Sequence, residues 1–451
     1  MTSTLAKSLY EGYKVPATLR SSPTMSAANY GKQVVAKGRE VIFLTVGDLY
    51  VKPSATELEE WVAKLHKAAE NSPDAPHYKS VADKDVYKYA DTLGAIGLRA
   101  AAAHCFMHDT GCENVSATDI AVGTGAKGAL NGVCSVLAAG DKVIMASPGW
   151  PTNFDMAPAG VAIIEVDTQG RGLIAPNLLA DILSAHAEAK AILINAPNNP
   201  TGANYMAEER DALMQVIAAH VASHPEFLVI LDDPYGKLVF DGQNLQRAIT
   251  ERALFASGNI AVLRSLSKEY GLAGARIGYV VSKQARVIEM VKRWNESKGG
   301  GISGPEQTVA QAALLFGDDF IASTIEDLRT KRAILLETVR SLRYASMQEP
   351  QGTIYGWVNF AALQGCKIPA GKTLSGDALI IETPQDLMTY LVEIAGVQGV
   401  GGTPFYAPDS PLAVRDWHVR ITFCGDKAEL EKACAKLREA EAILTPKANA
   451  A

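Results

Sequence analysis

With 451 residues, the chain exceeds one small domain and suits a large α/β unit with a smaller companion. Hydrophobic residues make up 48% and charged residues 20%, the balance of an ordinary globular protein. A net charge of −6, from 43 basic and 49 acidic side chains without any basic tract, argues against nucleic acid or an anionic membrane as a partner.

Residues 1–25 are polar and punctuated by Pro and Ser, so an N-terminal arm is expected. They hold no apolar signal core, and no window reaches transmembrane length. Ser26 to Lys37 predicts a helix. Val41 to Val46 then predicts a strand ending at Gly47-Asp48, where Gly47 is either a turn glycine or one that lies against a ligand. Glu57 to Glu70 has helical amphipathic spacing, and Gly94 to Arg99 opens a further helix reaching His108. His104, His108 and Cys112 have the i, i+4, i+8 spacing of metal ligands. Asp109-Thr-Gly111 should end the helix before Cys112, however, and Pro225 breaks the spacing of His220 and His224, so no metal site is expected.

Asp119 to Gly123 predicts a buried strand running into Gly123-Thr-Gly125-Ala-Lys-Gly128 and a helix, Ala129 to Leu137. A dinucleotide site of this pattern needs a carboxylate at the end of the next strand. That strand, Lys142 to Ala146, ends instead in Ser147-Pro-Gly-Trp150. The phosphate part of the pattern survives, because free N–H groups at a helix start bind anions. Trp150 leaves its strand into a Pro-rich loop, which favours a ligand face over the core. Ala191 to Ile194 reads as a fully buried strand of a parallel sheet, followed by the turn-rich Asn195-Ala-Pro-Asn-Asn-Pro-Thr-Gly202. Glu226 to Leu231 is the next strand and ends in Asp232-Asp233-Pro234-Tyr235.

The run Asn259 to Leu263 leads into Ser265-Leu-Ser267-Lys268, with Gly271, Gly274, Arg276 and Gly278 following. Two hydroxyls, an amine and a guanidinium among glycines describe a turn wrapped round a ligand. A lysine near an apolar wall is neutral often enough to attack carbonyls, and an arginine fork matches phosphate. Carbonyl plus phosphate describes pyridoxal 5′-phosphate (PLP). Arg286 to Lys298 predicts a long helix, and Gly299 to Gly304 a flexible loop. Beyond it, a separate α+β lobe carries Pro350-Gln-Gly-Thr-Ile-Tyr355, an unplaced segment Gly365 to Pro384, and the strand Trp417 to Phe423 with Arg420.

These motifs, in this order over roughly residues 25 to 440, resemble the class I aminotransferases of fold-type I PLP-dependent enzymes. The resemblance implies an α/β fold: a large domain, 65–310, with a mostly parallel seven-stranded-type sheet between helices. The smaller α+β domain would combine 26–64 with 311–451. Lys268 would hold PLP as an imine and act as base. Asp232 would face the pyridine nitrogen, with Asp233 as the competing carboxylate pointing away, while Tyr235 and Asn199 would bond the phenolic oxygen. Ser265, Arg276 and the backbone of Gly125, Ala126 and Lys127 would cradle the phosphate, and Trp150 would stack on the ring. Gly47 and Arg420 would contact substrate, Arg420 at its α-carboxylate, with Trp150 and Asn199 beside it. Tyr89, in Tyr89-x4-Gly94-x3-Leu98-Arg99, would cross a homodimer interface to complete a shared active site.

The sequence departs from the family at Leu49-Tyr50, where a proline is usual, and at Thr403-Pro-Phe-Tyr406, which replaces P-G-S. Transamination between an amino acid and a 2-oxo acid is the leading expectation. The alternative is β- or γ-elimination, replacement or cyclisation, as in the 1-aminocyclopropane-1-carboxylate synthases and C–S lyases that share the Ser-Leu-Ser-Lys pattern. A PLP-sensing regulator would need a DNA-binding domain, which about 25 residues ahead of the core do not accommodate. Six scattered cysteines and the absent signal core point to the cytoplasm.

Overall fold

The computed structural model describes residues 23–79, 85–156, 158, 160–240, 247–299 and 301–446. The expected arm lies outside them up to residue 22, and residues 23–25 already belong to the first helix, Pro23–Ala36. Of the expected strand at 41–46, only β1 (Ile42–Phe43) forms, parallel to Val397–Gln398. The backbone beyond it serves other partners: Leu44 bonds Gln398 and Thr422, and the carbonyls of Thr45 and Gly47 meet Arg420 and Lys268. Helix Ala55–Asn71 starts at a reciprocal cap, in which Ser54 accepts from the Glu57 amide and Glu57 accepts from the Ser54 amide. It buries Trp61 and Leu65, one turn apart on one face, so a domain boundary between residues 64 and 65 would cut a single rigid helix.

Seven strands form the central sheet: β2 (Ile120–Thr124), β3 (Lys142–Ser147), β4 (Ala162–Asp167), β5 (Ala191–Asn195), β6 (Leu228–Asp232), β7 (Ile260–Ser265) and β8 (Ile277–Ser282). Their order is β2-β8-β7-β6-β5-β3-β4, with β8 antiparallel to both neighbours and the remaining pairs parallel. Both faces are covered, which explains the continuous apolar runs. Ile192, Val229, Leu231 and Val262 enter one core layer. Their alternates Leu193, Ile230, Ala261 and Leu263 enter the other, beneath helices Gly125–Cys134 and Ala285–Trp294. Those two helices touch where Gly132 lies, since a Cβ there would come within 2.7 Å of the Val291 Cα.

The expected helix over 286–298 gives way at Trp294 to a wider five-residue turn, Asn295–Gly299. Buried Asn295 turns inward there to bond the carbonyls of Thr92 and Val122 at 2.6 and 2.8 Å. Of the glycine-rich loop, Gly300 lies outside the described residues.

Beyond it stand helices Gly304–Phe316 and Asp318–Ser341. A second, antiparallel sheet joins β9 (Ser346–Met347), β10 (Tyr355–Asn359), β14 (Val400–Gly401) and β15 (His418–Thr422). The unplaced segment 365–384 contributes a hairpin of β11 (Lys367–Ile368) and β12 (Leu379–Ile380), and β13 (Val397–Gln398) is the partner of β1. Among the described residues, no helix is long and apolar enough to cross a membrane.

Candidate active site

Parallel strands end together, so the residues just past β3, β5, β6 and β7 converge on one cavity of about 220 Å³. Ser265 ends β7 and caps the one-turn helix Leu266–Glu269, accepting from the Ser267 amide at 3.2 Å. The cap presents Lys268 to the cavity, where its Nζ donates to the carbonyl of Gly47. Gly47 has no room for a side chain, because a Cβ would stand 1.8 Å from the Tyr355 hydroxyl. The close approach there is that of Tyr355, a residue of this chain.

At the turn expected to bind the phosphate, Arg276 takes a left-handed conformation (φ 56°) that lays its guanidinium over Gly125. A Cβ on Gly125 would reach within 2.6 Å of Nη2, and Gly125 itself has φ 69°. The Gly125 amide donates to the Arg276 carbonyl at 2.7 Å, which corrects its expected part as a free donor. Ala126 and Lys127, the next residues of this helix start, line the cavity together with Ser265 and Arg276.

Asp232 closes β6 and is fully buried. Its Oδ2 accepts a long bond from Asn153 Nδ2 at 3.4 Å, while Oδ1 has no partner. Burial pushes this carboxyl up to about 7, with the charge of Asp233 adding to the effect. Asp233 points elsewhere, as expected, to Arg247 at 2.8 Å and Arg264 at 3.5 Å. Tyr235 is buried and donates to the Tyr355 hydroxyl at 3.2 Å. Burial pushes its hydroxyl well above the ordinary range, and Tyr355 adds to that.

Arg420 sits in mid-β15 and is 2% exposed. It donates to Asn199 Oδ1 and to the Thr45 carbonyl, each at 2.9 Å. Its guanidinium carbon lies 4.2 Å from the Tyr355 ring centre and 5.2 Å from that of Phe405. Trp150, half-buried, also lines the cavity. Tyr89 does not; its side chain is fully exposed. Gly111 ends the helix before Cys112, His104 stacks on His77, and no metal-binding cluster occurs among the described residues.

Three contributors were missed. Tyr355 was noted only as part of a strand entry, and Asn195 only as the head of its turn. Asn195 ties the site together, donating to the Asp232 carbonyl and accepting from the Asn199 amide, both at 2.8 Å. Asn153 carried no signal, since its use depends on β3 lying two strands from β6.

PLP fits this donor set. A protonated ring nitrogen would satisfy the orphaned Asp232 oxygen, and the crowded Gly125–Arg276 turn offers cationic and backbone donors to a phosphate. The family model for class I and II aminotransferases matches residues 39–437. An aspartate aminotransferase of Rhizobium meliloti is 28% identical over 392 residues, covering 83% of this chain and 87% of that protein. An aspartate/prephenate aminotransferase of Cereibacter sphaeroides is 26% identical over 435 residues, with 94% and 96% covered. Among solved structures, the Rhizobium meliloti aspartate aminotransferase superposes with a TM-score of 0.78 at 22% identity, over 96% of this chain and all of that one. The Thermus thermophilus enzyme with maleate gives 0.75 at 23%, over 95% of this chain and all of that one. Both structures support the fold alone. With the family model spanning most of its length, the chain belongs to the class I and II aminotransferases and uses pyridoxal 5′-phosphate as its cofactor.

Proposed function

We propose that the cavity is the transamination site, where an α-amino acid gives its amino group and a 2-oxo acid receives it. The observation that carries this reading is the juxtaposition of three unlike groups, two lining the cavity at the strand ends of the first sheet and one in the second sheet, held against the cavity's Asn199 and Tyr355. They are an amine (Lys268), a buried carboxyl with an orphaned oxygen (Asp232) and a buried guanidinium (Arg420).

Bound PLP supplies an aldehyde for the amine and a ring that acidifies the Cα–H bond beside it. Arg420 holds the substrate carboxylate as a fork, with Asn199 and the Thr45 carbonyl fixing its plane. Lys268 removes and returns the Cα proton; general acid–base catalysis of this kind is worth roughly 10²–10⁴-fold. Asp232 keeps a proton at the ring nitrogen, while Tyr235 and Asn199 serve the phenolic oxygen. Ser265, Arg276 and the amides of Ala126 and Lys127 hold the phosphate, and Gly125 shapes their turn. Trp150 would cover the ring face and exclude water, and Gly47 leaves room for the Tyr355 hydroxyl beside the site.

The proposed active species is a homodimer in the cytoplasm, with Tyr89 reaching the partner's site; its full exposure in the single chain supports this. The proposed division sets a larger lobe on the seven-stranded sheet against a smaller one on the four-stranded sheet, with helix Ala55–Asn71 moving whole.

Holoenzyme mixed with single amino acids and no oxo acid tests the reaction, and aspartate heads the panel because two of the similar proteins carry its name. One 2-oxo acid per site, with stoichiometric conversion of cofactor to pyridoxamine phosphate, is expected. Many turnovers with the cofactor regenerated would overturn transamination in favour of elimination, replacement or cyclisation.

A further inference from the structure

Tyr355 opens β10 in the second sheet, yet it lies at the centre of a site built mainly from the first. Its hydroxyl stands 3.2 Å from that of Tyr235 and fills the space a Gly47 side chain would need. Its ring centre lies 4.2 Å from the guanidinium carbon of Arg420, and the two rings of the tyrosine pair meet edge to face at 78°. One side chain thus touches both the residue assigned to the cofactor's phenolic oxygen and the residue assigned to the substrate carboxylate.

We propose that Tyr355 is a positioning residue with two separable parts: its hydroxyl sets the donor strength of Tyr235, and its ring fixes the plane of Arg420. A tyrosine hydroxyl has one proton to give. When Tyr235 gives its proton to the phenolic oxygen, Tyr355 becomes the donor to Tyr235. A phenol that accepts a hydrogen bond is a stronger donor in turn. The charged groups facing the pair are Asp232 from β6, Arg420 from β15 and, across Gly47, Lys268 from the helix after β7. None of these changes when the Tyr355 hydroxyl alone is removed. The proposal rests on the cofactor reading of Tyr235 and the substrate reading of Arg420.

The two parts predict different readouts in the holoenzyme. In Tyr355→Phe, Tyr235 donates less strongly. The phenolic oxygen then keeps more charge and holds the neighbouring proton more tightly, so the pH midpoint of the bound cofactor's visible absorbance rises. The expected rise is about half a unit to one unit, the worth of one neutral hydrogen bond. KM for amino acids should stay within about twofold, because the ring remains. Tyr355→Leu should show the same rise and also raise KM roughly 3- to 30-fold, the range from exposed to desolvated cation–π contacts. Tyr355→Met replaces it if the leucine variant loses soluble yield. Tyr235→Phe, measured alongside, should move the midpoint further than Tyr355→Phe does.

An unmoved midpoint in Tyr355→Phe beside a moved one in Tyr235→Phe overturns the hydroxyl's part and leaves transamination standing. An unmoved midpoint in both overturns the cofactor reading of Tyr235 and this inference with it. Unchanged KM in the leucine or methionine variant overturns the ring's part.

Discussion

Asp232 and Asp233 are consecutive and both buried, but they serve regions built on opposite terms. On the cavity side, Asp232 has one long bond and an oxygen without a partner. Behind it, Asp233 enters an ionic cluster. Arg247 and Arg264 both reach its Oδ2, Arg264 continues to Glu269 at 2.9 Å, and Arg210 and Arg247 meet Glu251 at 2.7 and 3.5 Å. Burial works against the Arg264 charge, yet Glu269 and Asp233 hold its proton affinity well above the ordinary arginine range. Lys268 and Glu269 repeat the division: the lysine faces the cavity, its neighbour the cluster. Alternation at the strand ends thus places an unpaired carboxyl back to back with an ion-paired one, although Asp233 Oδ1 and the Nε atoms of Arg247 and Arg264 also lack hydrogen-bond partners. The ion-paired side fixes the backbone from which the unpaired side reaches.

The largest expected effect is on the cavity side alone. Lys268→Ala should abolish turnover, by at least roughly 10⁴-fold, because it removes both nucleophile and base. Fold and cofactor binding should persist. Borohydride reduction of the parent holoenzyme should leave the pyridoxyl label on Lys268, and a label on another lysine would end the assignment.

Asp232→Asn should lower kcat by roughly 10²–10³-fold while the protein stays folded. Losing one partner of a buried ionic pair costs about 3–5 kcal/mol, and here that cost falls on the catalytic state. Near-parental turnover would move the ring-nitrogen role to Asp233 or to no carboxylate at all. The matching change across the divide is Asp233→Asn, which leaves Arg247 and Arg264 each short of a carboxylate. It should cost about 3–5 kcal/mol of unfolding free energy in urea, with a smaller loss of kcat than Asp232→Asn causes. If Asp233→Asn is instead as stable as the parent, the cluster is not the support described above.

The cavity side was far more legible in sequence than the cluster. Ser265, Lys268 and Arg276 are set by a local turn, so their spacing survives in the chain, and Asp232 and Tyr235 share another. Arg420 was singled out through the resemblance of its strand, Trp417 to Phe423, to that of the family. The cluster draws on residues from 210 to 269 on four separate elements, and nothing in their spacing announces that they meet. Tyr355 and Asn153 were missed for the same reason: each matters through a neighbour brought by the sheet. The strand expected at 41–46 failed because an apolar run reports only side chains, whereas the fate of that segment is decided by its carbonyls, which Arg420 and Lys268 take.

The smallest effect tests how unpaired Asp232 is. In the cofactor-free protein burial penalises the charge and pushes its carboxyl up to about 7, against 3.8 for the free side chain. The fold therefore keeps a proton that the unfolded chain gives up. Stability should fall as pH rises from about 4 to about 7 and level off above, by up to roughly 4 kcal/mol from this group. In Asp232→Asn that part of the decline should vanish, leaving the variant more stable than the parent apoprotein at pH 8 and no more stable below pH 4. The Asn153 bond is the one feature that eases the ionised form, at 3.4 Å and so only weakly. Asn153→Ala removes it, raises the folded-state value and extends the decline to higher pH, with a further loss of about 1 kcal/mol at pH 8. Urea denaturation of the three apoproteins at pH 4, 6 and 8 checks this. A parent curve that rises from pH 4 to 7 as the Asp232→Asn curve does would show that Asp232 already has a partner in the fold and is no vacancy for a pyridinium.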